Sequence, residues 1–225
     1  VPRHRGHPAE PSAAFGGTRN PGRLVAFSDA VFAIAVTLLV LDIQPPEDFR
    51  RLFHGLGALW PSYLAYSVTF LMIGQIWVNH HVMFDHVRVV DRLLMFLNTL
   101  LLMDVAFLPF AASVLADAFH SGDGERGAVV FYGATIELAA ILFNIIWEYA
   151  RHDRRLLGST IDDTGARFVA RRFRIAMIWI AAGIVVGAFL PLLGVAVIAA
   201  FIPAYWLPIR GELGRRDAAE GGSAP

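Results

Sequence analysis

Asp29, Asp104 and Glu137 are carboxylates set inside long apolar runs, and His80, His81 and His86 gather at the end of another. Side chains of these types pair with cations, pass protons or ligate metals, and each role must outweigh the cost of burial. An ionised carboxylate at the centre of a lipid-embedded helix costs roughly 2.5 to 3.5 kcal/mol on insertion scales. Asp29 lies in RLVAFSDAVFAIAVTLLVLDI, residues 23–43, about one turn and a half inside Arg23. At a rise of about 1.5 Å per residue this run crosses a hydrocarbon core of roughly 30 Å. Asp29 therefore requires a partner or a wet cavity.

Asp104 falls near the middle of the third apolar run and Glu137 within the fourth, at similar depth. Two close carboxylates in a low dielectric cannot both ionise, so the pair is expected to share a proton; the alternative is that each faces its own water crevice or helix. The histidines invite a metal reading. Membrane di-iron sites need several histidine boxes, whereas His4, His7, His54, His120 and His152 are scattered, so no metal is expected. A hydrogen-bonded or solvated interfacial cluster fits His80, His81 and His86 better.

The elements that position these groups are helices in a membrane. Hydrophobic residues form 56% of the 225, charged residues 17%, and mean hydropathy is +0.54, above the range of a soluble domain. The formal net charge is +0, which leaves no bulk basic field for nucleic acid. Cysteine is absent, so disulfides, thiol nucleophiles, zinc thiolate sites and iron–sulfur clusters are excluded. Residues 1–22 are rich in Pro, Gly, Ala and Arg without an apolar core, which predicts a disordered tail rather than a signal peptide, and 211–225 reads as a second tail.

Apolar runs between polar breaks predict an all-α membrane protein with six spans, 23–43, 57–79, 93–116, 128–150, 173–190 and 193–209, in one transmembrane domain over 23–210. The last two are short and divided only by Pro191 to Leu193, as in a tight hairpin or a broken, partly re-entrant pair. All 19 basic residues are arginine. Sixteen fall in the N-terminal tail, the 80–92 loop, the 151–174 loop and the C-terminal tail; Arg50, Arg51 and Arg126 lie opposite. The positive-inside rule makes both termini cytoplasmic, which needs an even number of spans. Outer loops 44–56, with Pro45–Pro46, and 117–127, with the Gly122–Gly124 turn, leave no room for a soluble catalytic domain. Trp60, Tyr63 and Trp77 on the second span, and Trp147 and Tyr149 on the fourth, read as interfacial belt residues. Loop 151–174 has the charge to meet anionic head groups, although topology alone explains its arginines.

Along the first helix, Ile34, Leu38 and Leu41 form one stripe that Phe27 and Arg23 extend. Ala26, Ala30, Ala33 and Thr37 run beside it as a band of small residues that permits close helix approach. Periodicity alone equally allows the aliphatic stripe to face lipid.

Arg23, Phe27, Ser28 and Asp29, read as R-x-x-x-F-S-D and followed by AVFAIAVTLLVLDI, resemble the signature of the TMEM175 family of potassium channels. Trp77, Asn79, His80 and His81 (W-x-N-H-H), Asn98 in RLLMFLNTLLL, and FLPF at Phe107 to Phe110 are similar to further motifs of that family, in the same order. The resemblance runs from about Arg23 to Trp206. It implies a channel whose first helices surround a central pore closed by apolar rings, with Ile34 as the narrowest, Leu38 and Leu41 lining the next turns outward, and Thr37 offering a hydroxyl. No TVGYG-like run and no acidic ring on the stripe are present, so selection by carbonyl cage gives way to constriction size and dewetting, with modest preference for the permeant K+. The resemblance also implies that Ser28 and Asp29, well around the helix from Ile34, bond to adjacent helices. With Arg23, Asn79, His80 and His81 they are expected to form a buried polar network that fixes the rotation of the first helix.

Only one copy of the motif is present, so one chain supplies one pore helix, and the resemblance implies a homotetramer in the bacterial inner (plasma) membrane. No cofactor, no enzyme activity and no partner beyond membrane lipid and further copies of the chain are expected. A proton-coupled secondary transporter using Asp104 and Glu137 is the main rival, although inverted repeats and Gly/Pro-broken helix pairs are missing; a membrane-embedded enzyme is the second.

Overall fold

The computed structural model describes residues 20–46, 48–152, 156–158 and 161–206, so the expected tails at 1–22 and 211–225 lie almost wholly outside the described residues. Every regular element among the described residues is helical. Helix α1 spans Gly22–Leu38 and continues as a 3-10 helix, Leu39–Asp42. A second 3-10 turn, Phe49–Arg51, leads into α2, Leu52–Ala58, which meets α3, Trp60–Asp85, at a bend of 50°. Then come α4, Arg92–Ser121, α5, Glu125–Arg151, α6, Asp163–Gly187, and α7, Pro191–Trp206.

The ends are set by local chemistry. The Asp91 carboxylate accepts from the Leu94 N–H at the start of α4, and Asp162 accepts from the Gly165 N–H at the start of α6, each satisfying a donor that lacks an intrahelical partner. Between α4 and α5, Gly122 at φ 74° and Gly124 at φ 72° take the left-handed conformation that a side chain disfavours.

By length and apolar composition, three helical stretches reach across a membrane among the described residues: Gly22–Asp42, Arg92–Ser121 and Glu125–Arg151. The bent pair Phe49–Ala58 and Trp60–Asp85 makes a fourth. Helix α6 is long enough, but Arg167, Arg171, Arg172 and Arg174 occupy its first half, and the apolar part of α7 is short. Two expected boundaries move most. The helix expected as the second span runs to Asp85 rather than 79, because Met83 and Phe84 are buried and keep it packed. The fifth begins at Asp163, ten residues before 173, so much of the arginine-rich loop is helix.

The last two helices form the hairpin, with its turn at Ala188–Leu190 because Pro191 is already the first residue of α7. Their backbones touch. A Cβ added to Gly194 would stand 2.3 Å from Gly187 Cα, and one added to Gly183 would stand 2.6 Å from Ile198 Cγ1. Gly183 and Gly187, four apart, therefore remove the side chains that would hold α7 away.

At the end where α3 stops and α4 starts, the chain is joined to the segment before α6. The Arg88 N–H donates to the Leu156 carbonyl at 2.9 Å, the Gly158 N–H donates to the His86 carbonyl at 2.9 Å, and Val87 and Leu157 form an antiparallel bridge. The described part of the 151–174 segment thus lies on the same side of the molecule as the 80–92 linker. Trp147 is not a belt residue. Trp147 is fully buried and donates its indole N–H to the Ala166 carbonyl, while the Tyr149 hydroxyl donates to the Asp91 carboxylate; both join the ends of α4, α5 and α6. Trp60 and Tyr63 are exposed, as an interface requires.

Candidate functional site

Helix α1 has one covered face and one uncovered face. Ser28, Phe32, Ala35 and Leu39, spaced by four, three and four, pack against α3 and α4. Opposite them, Ile34 is 59% exposed, Leu38 42% and Leu41 65%, against 3% for Phe32 and 1% for Ala35. Arg23, Ala26, Phe27, Ala30, Ala33 and Thr37 lie on the uncovered side too. The Thr37 hydroxyl donates to the Ile34 carbonyl at 2.8 Å, so it is engaged by its own helix.

The covered face is fixed by a chain of hydrogen bonds. The Ser28 hydroxyl donates to the Leu24 carbonyl at 2.9 Å, Asn98 Nδ2 of α4 donates to Ser28 Oγ at 3.0 Å, and Asn98 Oδ1 lies 2.9 Å from His80 Nε2 of α3. An amide oxygen only accepts, so Nε2 carries the proton and every donor points the same way, from His80 toward Leu24. His80 is buried in an aromatic box, stacked on Phe84 at 4.5 Å and edge-on to Phe32 of α1 at 5.4 Å and to Phe143 of α5 at 6.5 Å. Four helices meet at this one imidazole.

The expected polar network is therefore differently composed. Ser28 and His80 belong to it through Asn98, while Asp29 belongs to a separate pair in which Trp77 Nε1 donates to Asp29 Oδ1 at 2.9 Å. His81 is exposed and reaches that pair only by its ring, 6.0 Å from Trp77. Arg23 is exposed and makes no hydrogen bond or ion pair among the described residues. Asn79, one residue from His80, points to a different helix face and lines a recess with Gln75. Trp77, read from the sequence as an interfacial residue, is thus the partner that Asp29 required.

The carboxyls of Asp104 and Glu137 do not share a hydrogen bond. Asp104 is buried in α4 beside Val105 and near Leu101 and Leu108, whereas Glu137 is half-buried beside exposed Leu138 in α5. One buried oxygen of each, Asp104 Oδ2 and Glu137 Oε2, has no partner among the described residues. No three histidine, aspartate or glutamate side chains converge among the described residues as a metal would need. Gln75 is not among the residues singled out above; its signal in the sequence is a lone amide in LMIGQIW.

The profile of the family described as endosomal/lysosomal potassium channel TMEM175 matches residues 23–109, from Arg23 through α3 into α4. A potassium channel of Streptomyces collinus is 44% identical over 154 residues, which is 68% of this chain and 75% of that one. The human endosomal/lysosomal proton channel TMEM175 is 43% identical over 138 residues, 57% of this chain but 27% of the human protein. A crystal structure of a lysosomal potassium-selective channel TMEM175 homolog from Chamaesiphon minutus matches with a TM-score of 0.72 and 32% identity, covering 83% of this chain and 98% of the other. These relatives are channels, not enzymes. With R-x-x-x-F-S-D seated in α1, W-x-N-H-H in the last third of α3 and a solved relative matched over 98% of its own length, this chain belongs to the TMEM175 family.

Proposed function

We propose that this chain is a potassium-permeable channel in which α1 from each of four copies lines a central pore. Ile34 forms the narrowest ring, Leu38 and Leu41 the next turns outward, and Thr37 lies beside them. The observation that carries this reading is the exposed face of α1: three branched side chains on one stripe, flanked by alanines and left largely uncovered by the described residues. One helix cannot enclose a pore, so copies must gather around an axis. Apolar rings of this kind close by dewetting and select by constriction size.

In this reading α1, α3, α4, α5, α6 and α7 are six spans, with both termini and the arginine-rich loops in the cytoplasm and the assembly in the plasma membrane. The common side of the 80–92 linker and the described part of the 151–174 segment supports that orientation. So does the start of α1, where Ser28 and Asp29 meet the end of α3 and the start of α4. Potassium is favoured over protons because the Streptomyces relative, matched over 75% of its length, is a potassium channel, while the human proton channel is matched over 27%.

The test is single-channel recording of the reconstituted protein. Ile34→Asn is expected to wet the constriction, raising conductance several-fold and lowering the preference for K+ over Na+. Unchanged conductance would place the pore on another stripe. A reversal potential that followed a proton gradient and ignored a K+ gradient would favour proton permeation, and saturable coupled flux without unitary steps would favour a transporter using Asp104 and Glu137.

A further inference from the structure

Gln75 sits in mid-α3, 1% exposed, and neither Nε2 nor Oε1 has a partner among the described residues. Protein interiors pair such groups with protein or with a bound molecule. The side chain lines a recess of about 40 Å³ where α3, α5, α6 and α7 meet. Asn79, one turn further along α3, lies on the same wall; Met72, Ile136, Phe143 and Phe201 are among the apolar remainder. Among the described residues no ionisable side chain lines it, so a charged ligand would find no counter-charge there. A water needs roughly 10 to 15 Å³ of such space, so the recess admits a water or the head of a short molecule.

We infer that this recess is a binding site for a neutral hydroxyl group, which donates to Gln75 Oε1 and accepts from Gln75 Nε2. A hydroxyl is the smallest group that both donates and accepts, and the carboxamide presents the complementary pair. Two sources carry it: water, or a short alcohol whose alkyl chain lies along the apolar wall. The site bridges α3 and the α6–α7 hairpin and does not depend on which way α1 faces.

The experiment is a pair of high-resolution maps of the intact protein in detergent, without and with 1-butanol, together with thermal unfolding over a butanol series for the native chain and for Gln75→Leu. Density within hydrogen-bond reach of both Gln75 amide atoms in the alcohol-free map establishes water as the occupant. Density that appears or lengthens only with butanol establishes the alcohol, and a saturable shift in unfolding temperature that Gln75→Leu loses then accompanies it. If neither map has density at Gln75, the inference is overturned, whether or not Gln75→Leu folds. Recordings of Ile34→Asn are independent of these results.

Discussion

Asn98 is the side chain on which the packing of α1 turns, since it accepts from His80 with one atom and donates to Ser28 with the other. Replacing it by leucine leaves a buried imidazole N–H without an acceptor and removes a donor from Ser28. An unsatisfied buried group costs about 1 to 3 kcal/mol. Asn98→Leu is therefore expected to lower the unfolding temperature clearly, and Ser28→Ala, which orphans only one amide hydrogen, to lower it less; equal stability of Asn98→Leu and the native protein in a thermal melt would contradict the chain of bonds. In the sequence, Asn98 and Ser28 stood out as polar residues in apolar runs, yet their contact spans 70 positions and depends on how two helices are rotated against each other. Asp104 and Glu137 mark the limit from the other side. Equal depth could be read from the sequence, but depth does not fix the direction in which a helix points a side chain, and the two carboxyls are not bonded to each other.

The two faces of α1 follow from its own 3.6-residue period, so the sequence placed Ile34, Leu38 and Leu41 together on one stripe before any neighbour was known. Helix ends were harder to read. Polar Asn79, His80 and His81 looked like the close of the second span, but His80 is buried in its aromatic box and the helix runs on to Asp85. The start of α6 carried a readable signal, an aspartate cap at Asp162 three residues before Gly165, hidden among arginines that read as loop. The α6–α7 contact leads to a prediction at this scale. Gly194→Ala would put a Cβ 2.3 Å from Gly187 Cα, and overpacking against backbone costs about 1 to 3 kcal/mol. Gly74→Ala in α3 meets nothing within 4 Å and should gain about 0.5 to 1 kcal/mol from the lower entropy of the unfolded chain. Denaturation of the two variants side by side should move in opposite directions, and a neutral Gly194→Ala would mean the helices are further apart.

For the whole molecule, the absence of cysteine provides a clean test of assembly. If the uncovered ridge of α1 faces an axis shared by copies, Leu41→Cys should yield disulfide-linked dimers on mild oxidation in membranes, whereas Ile178→Cys on exposed α6 should yield few. Equal cross-linking at the two positions would remove the axis from α1. The membrane class and the helix order were legible from hydropathy, because each span must satisfy its own backbone in lipid. The number of crossings was less so: α6 mixes four arginines with an apolar half, and α7 is short, so their passage through a bilayer depends on packing against each other and not on composition alone.

The joint between the α3–α4 linker and the chain before α6 is made of main-chain groups, Arg88 to Leu156 and Gly158 to His86. Such a joint does not register when the exposed Arg88 side chain is cut back to alanine, because neither of its hydrogen bonds uses a side chain, whereas Val87 and Val90 are buried and respond to truncation through packing alone. Only removal of an amide hydrogen cuts it, so Arg88→Pro should melt the protein at markedly lower temperature where Arg88→Ala does not. Strain applied to the outer hairpin would travel to the base of α3 and α4 through peptide bonds, a mechanical link written in the backbone rather than in any signature residue.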